Sequence, residues 1–350
     1  MNGRPEKSIW SPSNWLIFFA LLAAACAAVF HFWFSSTGLH ATHKQGVPEQ
    51  PGNLSDEPIT PIPETVKLDA RKVALGRRLF FDKRLSADSQ ASCSSCHDLS
   101  RWGTDGALHP AGPDPSQGSI NTLSVFNSGY NYRLLWDGRF ATLEDLVEFP
   151  LQHAGAMTDN WPKVIARIEH DPDYVRDFST IYPEGIGQRA IKDVIAVYVR
   201  SLTTPDSRFD RYLRGDATAL DSEERAGYEL FKNLGCISCH QGRNVGGNMY
   251  EKLGLVGNYF ENRGNIRKTD YGRYNVTGNE EDRYEFRVPS LRNVALTGPY
   301  FHDASANTLE LAVATMAKYQ LGVDLSNEEV RRIVRFLNTL TGHYKGQIEP

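Results

Sequence analysis

The sequence has no basic run beyond its amino terminus and no sustained acidic block. Its 38 Lys and Arg against 42 Asp and Glu leave a net charge of −4. This gives no footing for nucleic acid, which is held by clustered positive charge. Stretches that alternate apolar and polar residues are also scarce, which argues against a body built mainly of strands. Cysteine is sparse, five in 350 residues, so the position of each one is informative. Long apolar runs are absent apart from one. What remains, 41% apolar and 23% charged, suits a globular protein of one large domain or two smaller ones.

The one long apolar run is "WLIFFALLAAACAAVFHFWF", Trp15 to Phe34. It has about the ~20 residues that a membrane-spanning helix needs. Arg4 and Lys7 precede it, and Trp15 and Trp33 sit near its ends. Positive charge stays inside, so residues 1–14 read as a cytoplasmic tail, 15–34 as a single-pass anchor, and the remainder as a body facing the periplasm. The alternative is a signal peptide cut among the small residues Ala23 to Ala28, leaving a soluble periplasmic protein. Cys26 lies inside the run and reads as a small apolar residue. Residues 35–65, with Pro48, Pro51, Pro58, Pro61 and Pro63, read as a partly extended tether.

The other four cysteines form two identical patterns, "CSSCH" (Cys93, Cys96, His97) and "CISCH" (Cys236, Cys239, His240). Two Cys-x-x-Cys pairs can close a zinc site, and one pair can be a redox dithiol. Cys-x-x-Cys-His is also the attachment motif of c-type haem, with two thiols bonded to the macrocycle and the histidine beneath the iron. The histidine directly after both pairs decides for two haems, because zinc has no need of it there.

The surroundings of the motifs repeat. "ALGRRLFF" carries Gly76, Leu79 and Phe80, and "RAGYELF" carries Gly227, Leu230 and Phe231. Each motif is followed much later by an amphipathic helix. The first has Ile191, Val194, Ile195 and Tyr198 on one stripe. The second has Val330, Ile333, Val334 and Leu337, with Ser326 and Glu329 as a capping box. Both stripes read as core packing around a haem. The expected fold is therefore mainly α, with two cytochrome c-like haem domains packed together behind one transmembrane helix. The domains are expected at 66–215 and 216–350, and the glycine-rich stretch 242–277 reads as a long loop.

The strings "LGRRLFFDKRLS", "CSSCHDLS", "LLWDGRFATLEDL", "FRVPSLRNVALTGPYFHD" and "MAKYQLG" resemble the bacterial diheme cytochrome c peroxidases. That family is related to the diheme enzymes that mature tryptophan tryptophylquinone. The resemblance runs from about Leu68 to Gly342. It implies that hydrogen peroxide is reduced to water at the His97 haem. It also implies that the His240 haem takes electrons from a small donor, a cytochrome c or a cupredoxin. Met316 would be the second axial ligand of the His240 haem, in agreement with the high potential that His/Met ligation gives. Met249 is the competing methionine. Trp136 would relay electrons between the haems, and His302 would lie in a haem's environment. A calcium ion would bind the Asn121 side chain and the Thr297 and Pro299 carbonyls. Family members also form homodimers.

The sequence departs from the family on the far side of the first haem. Ala156 stands at the position of the distal glutamate, and Leu146 at a glutamine position. Glu148 and His153 are the substitutes within reach, although solvated surface is the plainer reading of each. The loop that carries a distal histidine in many members has Pro113 near the aligned position, with His109 a few residues earlier. Either His109 reaches the iron or this haem is five-coordinate, and the second is favoured. Two alternatives to peroxidase activity follow. One is a peroxide-using diheme oxidase that modifies a protein partner. The other is a diheme electron carrier without enzymatic activity.

Overall fold

Helices form where the sequence places an apolar stripe behind a capping side chain. The computed structural model describes residues 57–107, 120–152, 157 and 159–346. The tail at 1–14, the apolar run at 15–34 and the tether up to residue 56 lie outside these. No helix among the described residues is long and apolar enough to cross a membrane. The principal elements in chain order are α1 (Ala70–Phe81), α2 (Leu143–Gln152), α3 (Trp161–Glu169), α4 (Pro172–Ser179), α5 (Gln188–Ser201), α6 (Arg208–Leu213), α7 (Ser222–Asn233), α8 (Leu309–Met316) and α9 (Asn327–Asn338). Among the described residues, strand is limited to one antiparallel pair, β1 (Tyr250–Lys252) and β2 (Glu285–Arg287), with Tyr250 opposite Arg287. The protein is mainly helical, as the scarcity of alternating patterns implies.

The sequence repeat is also a repeat in space. Asp69 caps α1 by accepting from the Arg71 N–H, and Asp221 caps α7 in a capping box with Glu224. The Ser326–Glu329 box starts α9. The pair α1–α5 corresponds to the pair α7–α9, and each crosses at the repeated glycine. A Cβ on Gly76 would lie 1.9 Å from Val194 O, and one on Gly227 would lie 2.0 Å from Arg332 O. Only glycine lets the backbones approach so closely. Gly227→Ala should therefore destabilise the protein by roughly 1–3 kcal/mol or more, the usual cost of forcing extra volume into a packed core. Chemical denaturation of wild type and variant checks this, and equal midpoints would contradict the crossing.

Two apolar clusters result. The first collects buried side chains from Leu75 to Leu202, and Phe80 meets Tyr198 edge-on at 5.3 Å. The second collects Phe209, Tyr228, Phe231, Ile333, Phe336 and others. Each end of the described chain crosses to the other half: Ile59 packs into the second cluster and Tyr344 against the first. All described residues belong to one compact unit.

The end of the expected tether is thus a packed strap. Ile59 and Ile62 are buried, the Ile62 N–H donates to Asp210 Oδ1 at 3.2 Å, and Arg292 Nη2 donates to Thr60 O at 3.0 Å. The fully buried pair Arg292–Asp210, 2.8 Å apart, lies beneath it. The prolines set an extended backbone, and the isoleucines between them supply the buried area.

A seam of buried amides joins the halves. Thr204 donates its N–H to Asn127 Oδ1 at 2.9 Å and accepts from Asn127 Nδ2 at 2.8 Å and Asn293 Nδ2 at 2.9 Å. Asn127 and Asn293 both hold left-handed backbone, φ +59° and +60°, a conformation asparagine tolerates better than most residues.

Candidate functional site

The two attachment loops share one local design. His97 N–H donates to Cys93 O at 2.9 Å, and His240 N–H donates to Cys236 O at 3.0 Å. Each turn closes so that the imidazole falls beside the two thiols. His97 Nδ1 lies 3.2 Å from Gly103 O, and His240 Nδ1 lies 3.2 Å from Val245 O. A carbonyl at that place fixes the proton on Nδ1 and leaves the Nε2 lone pair free to bind a metal. Burial lowers both imidazoles, His240 to about 4, so both are neutral at pH 7. Gly246, at φ +124°, lets the chain pass close by: a Cβ there would lie 2.2 Å from Pro289 O and 3.3 Å from His240 Nδ1.

No disulfide joins the four described cysteines. Burial pushes Cys93 up to about 12 and Cys236 up to about 11, and raises Cys96 and Cys239 as well. A redox Cys-x-x-Cys motif works through a lowered thiol; what favours haem over a dithiol here is the imidazole held directly after each pair.

The second loop opens into a cavity of about 250 Å³. Cys236, Cys239 and His240 line it, as does Met316, the last residue of α8. Met249 is not among its lining residues. Beyond Met316 the helix widens into a π turn, Ala317–Leu321, and stops at Gly322 in left-handed backbone. Apolar walls from Phe231, Leu309, Ile333 and Leu337, two thiols, a neutral imidazole and a thioether on one cavity fit a c-type haem.

Trp136 reaches the same cavity. It is buried, and its Nε1 donates to Asn121 O at 2.8 Å. Its ring meets His302 edge-on at 6.3 Å. His302 is fully buried, and its Nε2 lies 2.7 Å from Asp270 Oδ1. Burial alone would raise Asp270, but hydrogen bonds from His302, Arg263 and the Arg267 N–H outweigh it and hold the carboxyl well below the usual range. Asp270, His302 and Asp303 approach one another closely enough for a metal. However, the Arg263 guanidinium already bridges the two carboxylates and supplies the positive charge.

Asn121 Nδ2 donates to Pro299 O at 2.6 Å and to Phe301 O at 3.0 Å. Rotated by half a turn, the amide would add its oxygen to these carbonyls, the donor type calcium takes. Thr297 lines the neighbouring wall.

On α2, Leu146 packs against the first apolar cluster. Glu148 faces α5, where it accepts from Lys192 Nζ at 2.7 Å and Gln188 Nε2 at 3.2 Å. His109, Pro113, His153 and Ala156 lie outside the described residues. Sequence reading missed Asp270 and Arg263. Both fall in the stretch read as a long loop, which contains β1 and the short helical turns Tyr259–Arg263, Lys268–Tyr271 and Tyr274–Thr277. Segments of three to five residues carry no usable periodicity.

Two Cys-x-x-Cys-His loops, each presenting a neutral imidazole within one helical body, define a di-haem protein of the cytochrome c type. The profile of the family described as "Di-haem cytochrome c peroxidase" matches residues 70–218. "Cytochrome c551 peroxidase" of Nitrosomonas europaea is 41% identical over 292 residues, 82% of this chain and 85% of that protein. "Cytochrome c peroxidase Ccp" of Escherichia coli K12 is 45% identical over 290 residues, 83% of this chain, and the match spans 62% of that longer protein. The solved structure of a MauG-like protein associated with microbial copper homeostasis superposes with a TM-score of 0.68 at 30% identity, covering 85% of this chain and 95% of that one. The chain belongs to the di-haem cytochrome c peroxidase family.

Proposed function

We propose that the protein is a periplasmic c-type peroxidase that reduces hydrogen peroxide to water with electrons from a small donor protein, a cytochrome c or a cupredoxin. The observation that carries this reading is the pair of Cys-x-x-Cys-His loops in a chain 41% identical to a cytochrome c551 peroxidase over most of both lengths. Haem c, when bound, supplies the iron that cleaves the O–O bond at one loop and accepts electrons at the other.

The residues divide that work. Cys93 and Cys96 hold the first macrocycle, and Cys236 and Cys239 the second. His97 and His240 each offer Nε2 to an iron. Met316 completes the second site, and its thioether favours the reduced state. Trp136, clamped through Nε1, fills the space beside the second cavity with a polarisable ring and excludes water. Glu148 is committed to Lys192, so it is a poor distal acid. His109 and His153 are the remaining candidates for moving a proton between the peroxide oxygens. The run 15–34 anchors the body on the periplasmic face. We place the division between the two haem domains near residue 215, where the sequence repeat restarts.

The test is peroxide consumption by the holoprotein with a reduced donor. Turnover is expected, and none above free haem, with both haems intact, would sink the reading. A second reading is favoured by Leu146, which sets an apolar side chain where the family carries a glutamine. In that case, oxidising equivalents would be passed to a protein partner. Mass spectrometry of the partner after peroxide treatment would then show added oxygen or a crosslink.

Asn121, Thr297 and Pro299 would hold calcium. Calcium at a hundred times its Kd should stabilise the protein by about 2.7 kcal/mol. Chelation with EGTA should therefore lower the thermal midpoint, calcium should restore it, and Asn121→Ala should remove the response. An unchanged midpoint after chelation would contradict the site.

A further inference from the structure

Arg287 closes β2 and lines the second cavity, yet it is only 2% exposed. Its backbone N–H donates to Trp136 O at 2.9 Å, its Nε to Leu135 O at 3.0 Å and its Nη1 to Val288 O at 3.3 Å. All three acceptors are neutral carbonyls. No carboxylate among the described residues pairs with this guanidinium. The contrast with Arg292 is direct: that side chain is as deeply buried and sits 2.8 Å from Asp210.

A guanidinium withdrawn from water is strongly disfavoured unless an anion meets it. Burial lowers the pKa of Arg287 to about 10, and Tyr250, its partner across the strand pair, is a neutral phenol that brings no counter-charge. The guanidinium remains charged at neutral pH and is incomplete without an acid. The group for which the cavity is shaped brings its own: a c-type haem carries two propionate carboxylates, its only anionic substituents.

We infer that Arg287 pairs with a propionate of the haem in the His240 cavity and so ties that haem to the Leu135–Trp136 segment. The inference rests on haem occupying this cavity. Arginine suits the task, since its planar fork can hold a carboxylate while Nε stays on the Leu135 carbonyl. Leu135 is held in left-handed backbone, φ +67°, and two of the three bonds from Arg287 go to it and to Trp136. Arg287 is accordingly a positioning residue: it compensates the propionate charge and fixes the main chain that carries the indole.

The test compares the full-length holoprotein with R287Q and R287K by spectroelectrochemistry of the His240 haem. Removing the positive charge leaves an uncompensated anion beside the iron and favours the ferric state. R287Q should shift the reduction equilibrium tenfold or more toward the oxidised form, about 59 mV for one electron. R287K should keep most of the wild-type potential. Equal potentials in wild type and R287Q would overturn the pairing. If R287Q fails to accumulate with haem, resonance Raman of wild type and R287K decides instead. The propionate bending band of the His240 haem should move in R287K, and an unmoved band would overturn the pairing. These readouts do not depend on peroxide turnover. A haem count by pyridine haemochrome, two per wild-type chain, keeps a failure of the pairing distinct from a failure of the haem assignment.

Discussion

Met316→His should lower the potential of the His240 haem by hundreds of millivolts, within the ~0.8 V span over which axial ligands set haem potentials. The argument begins with the donor atoms. A neutral thioether stabilises ferrous iron, whereas a second imidazole stabilises ferric iron. Met316 ends α8 and lines the same cavity as His240, while Met249 does not. The replacement still offers a ligand, so the haem should stay low-spin while its potential falls. A donor poised for the wild-type haem would then no longer reduce it, and peroxide turnover should fall with the potential. Spectroelectrochemistry at the α band reads the shift. A wild-type potential in the variant would show that the iron takes its second ligand elsewhere.

Trp136→Leu should slow peroxide turnover on the order of tenfold or more, which corresponds to ~1.4 kcal/mol in activation free energy. It should do so without changing the resting spectrum of either haem. The indole is buried against the second cavity, is held to Asn121 O through Nε1, and sits edge-on to His302. Leucine keeps an apolar side chain but lacks both the polarisable ring and the N–H. It leaves the Asn121 carbonyl without that donor, so a stability loss of about 1–3 kcal/mol accompanies the change. Stopped-flow measurement of haem-to-haem electron transfer separates the two effects. Slow transfer in a folded, fully loaded variant supports a relay, and an unchanged transfer rate would leave Trp136 a packing residue.

The parts of this protein that were legible in its sequence are those set by neighbours along the chain. Haem attachment needs two thiols and an imidazole within five residues, so "CSSCH" and "CISCH" identify themselves. The stripes of α5 and α9 follow from a period of 3.6 residues, and the repeated Gly76 and Gly227 mark the same helix crossing in each half. Contacts between distant segments were not legible. Asp270 meets His302 across 32 positions, and Glu148 is claimed by Lys192 across 44. Ile59 and Ile62 looked like part of a proline-rich tether because their partners, including Asp210, lie some 150 residues away. Arg287 was hidden for a different reason. A buried arginine announces itself only by the carboxylate it lacks, and that requires the fold.

The measurement closest to the central claim is the electron paramagnetic resonance spectrum of the holoprotein, oxidised and then reduced by one electron per chain. Two unlike haems with separate tasks should give two different ferric signals. The first electron should remove the low-spin signal of the His240–Met316 haem. A high-spin signal from the His97 haem should remain and change on addition of peroxide. Two low-spin signals that both ignore peroxide would contradict the account and leave a di-haem electron carrier.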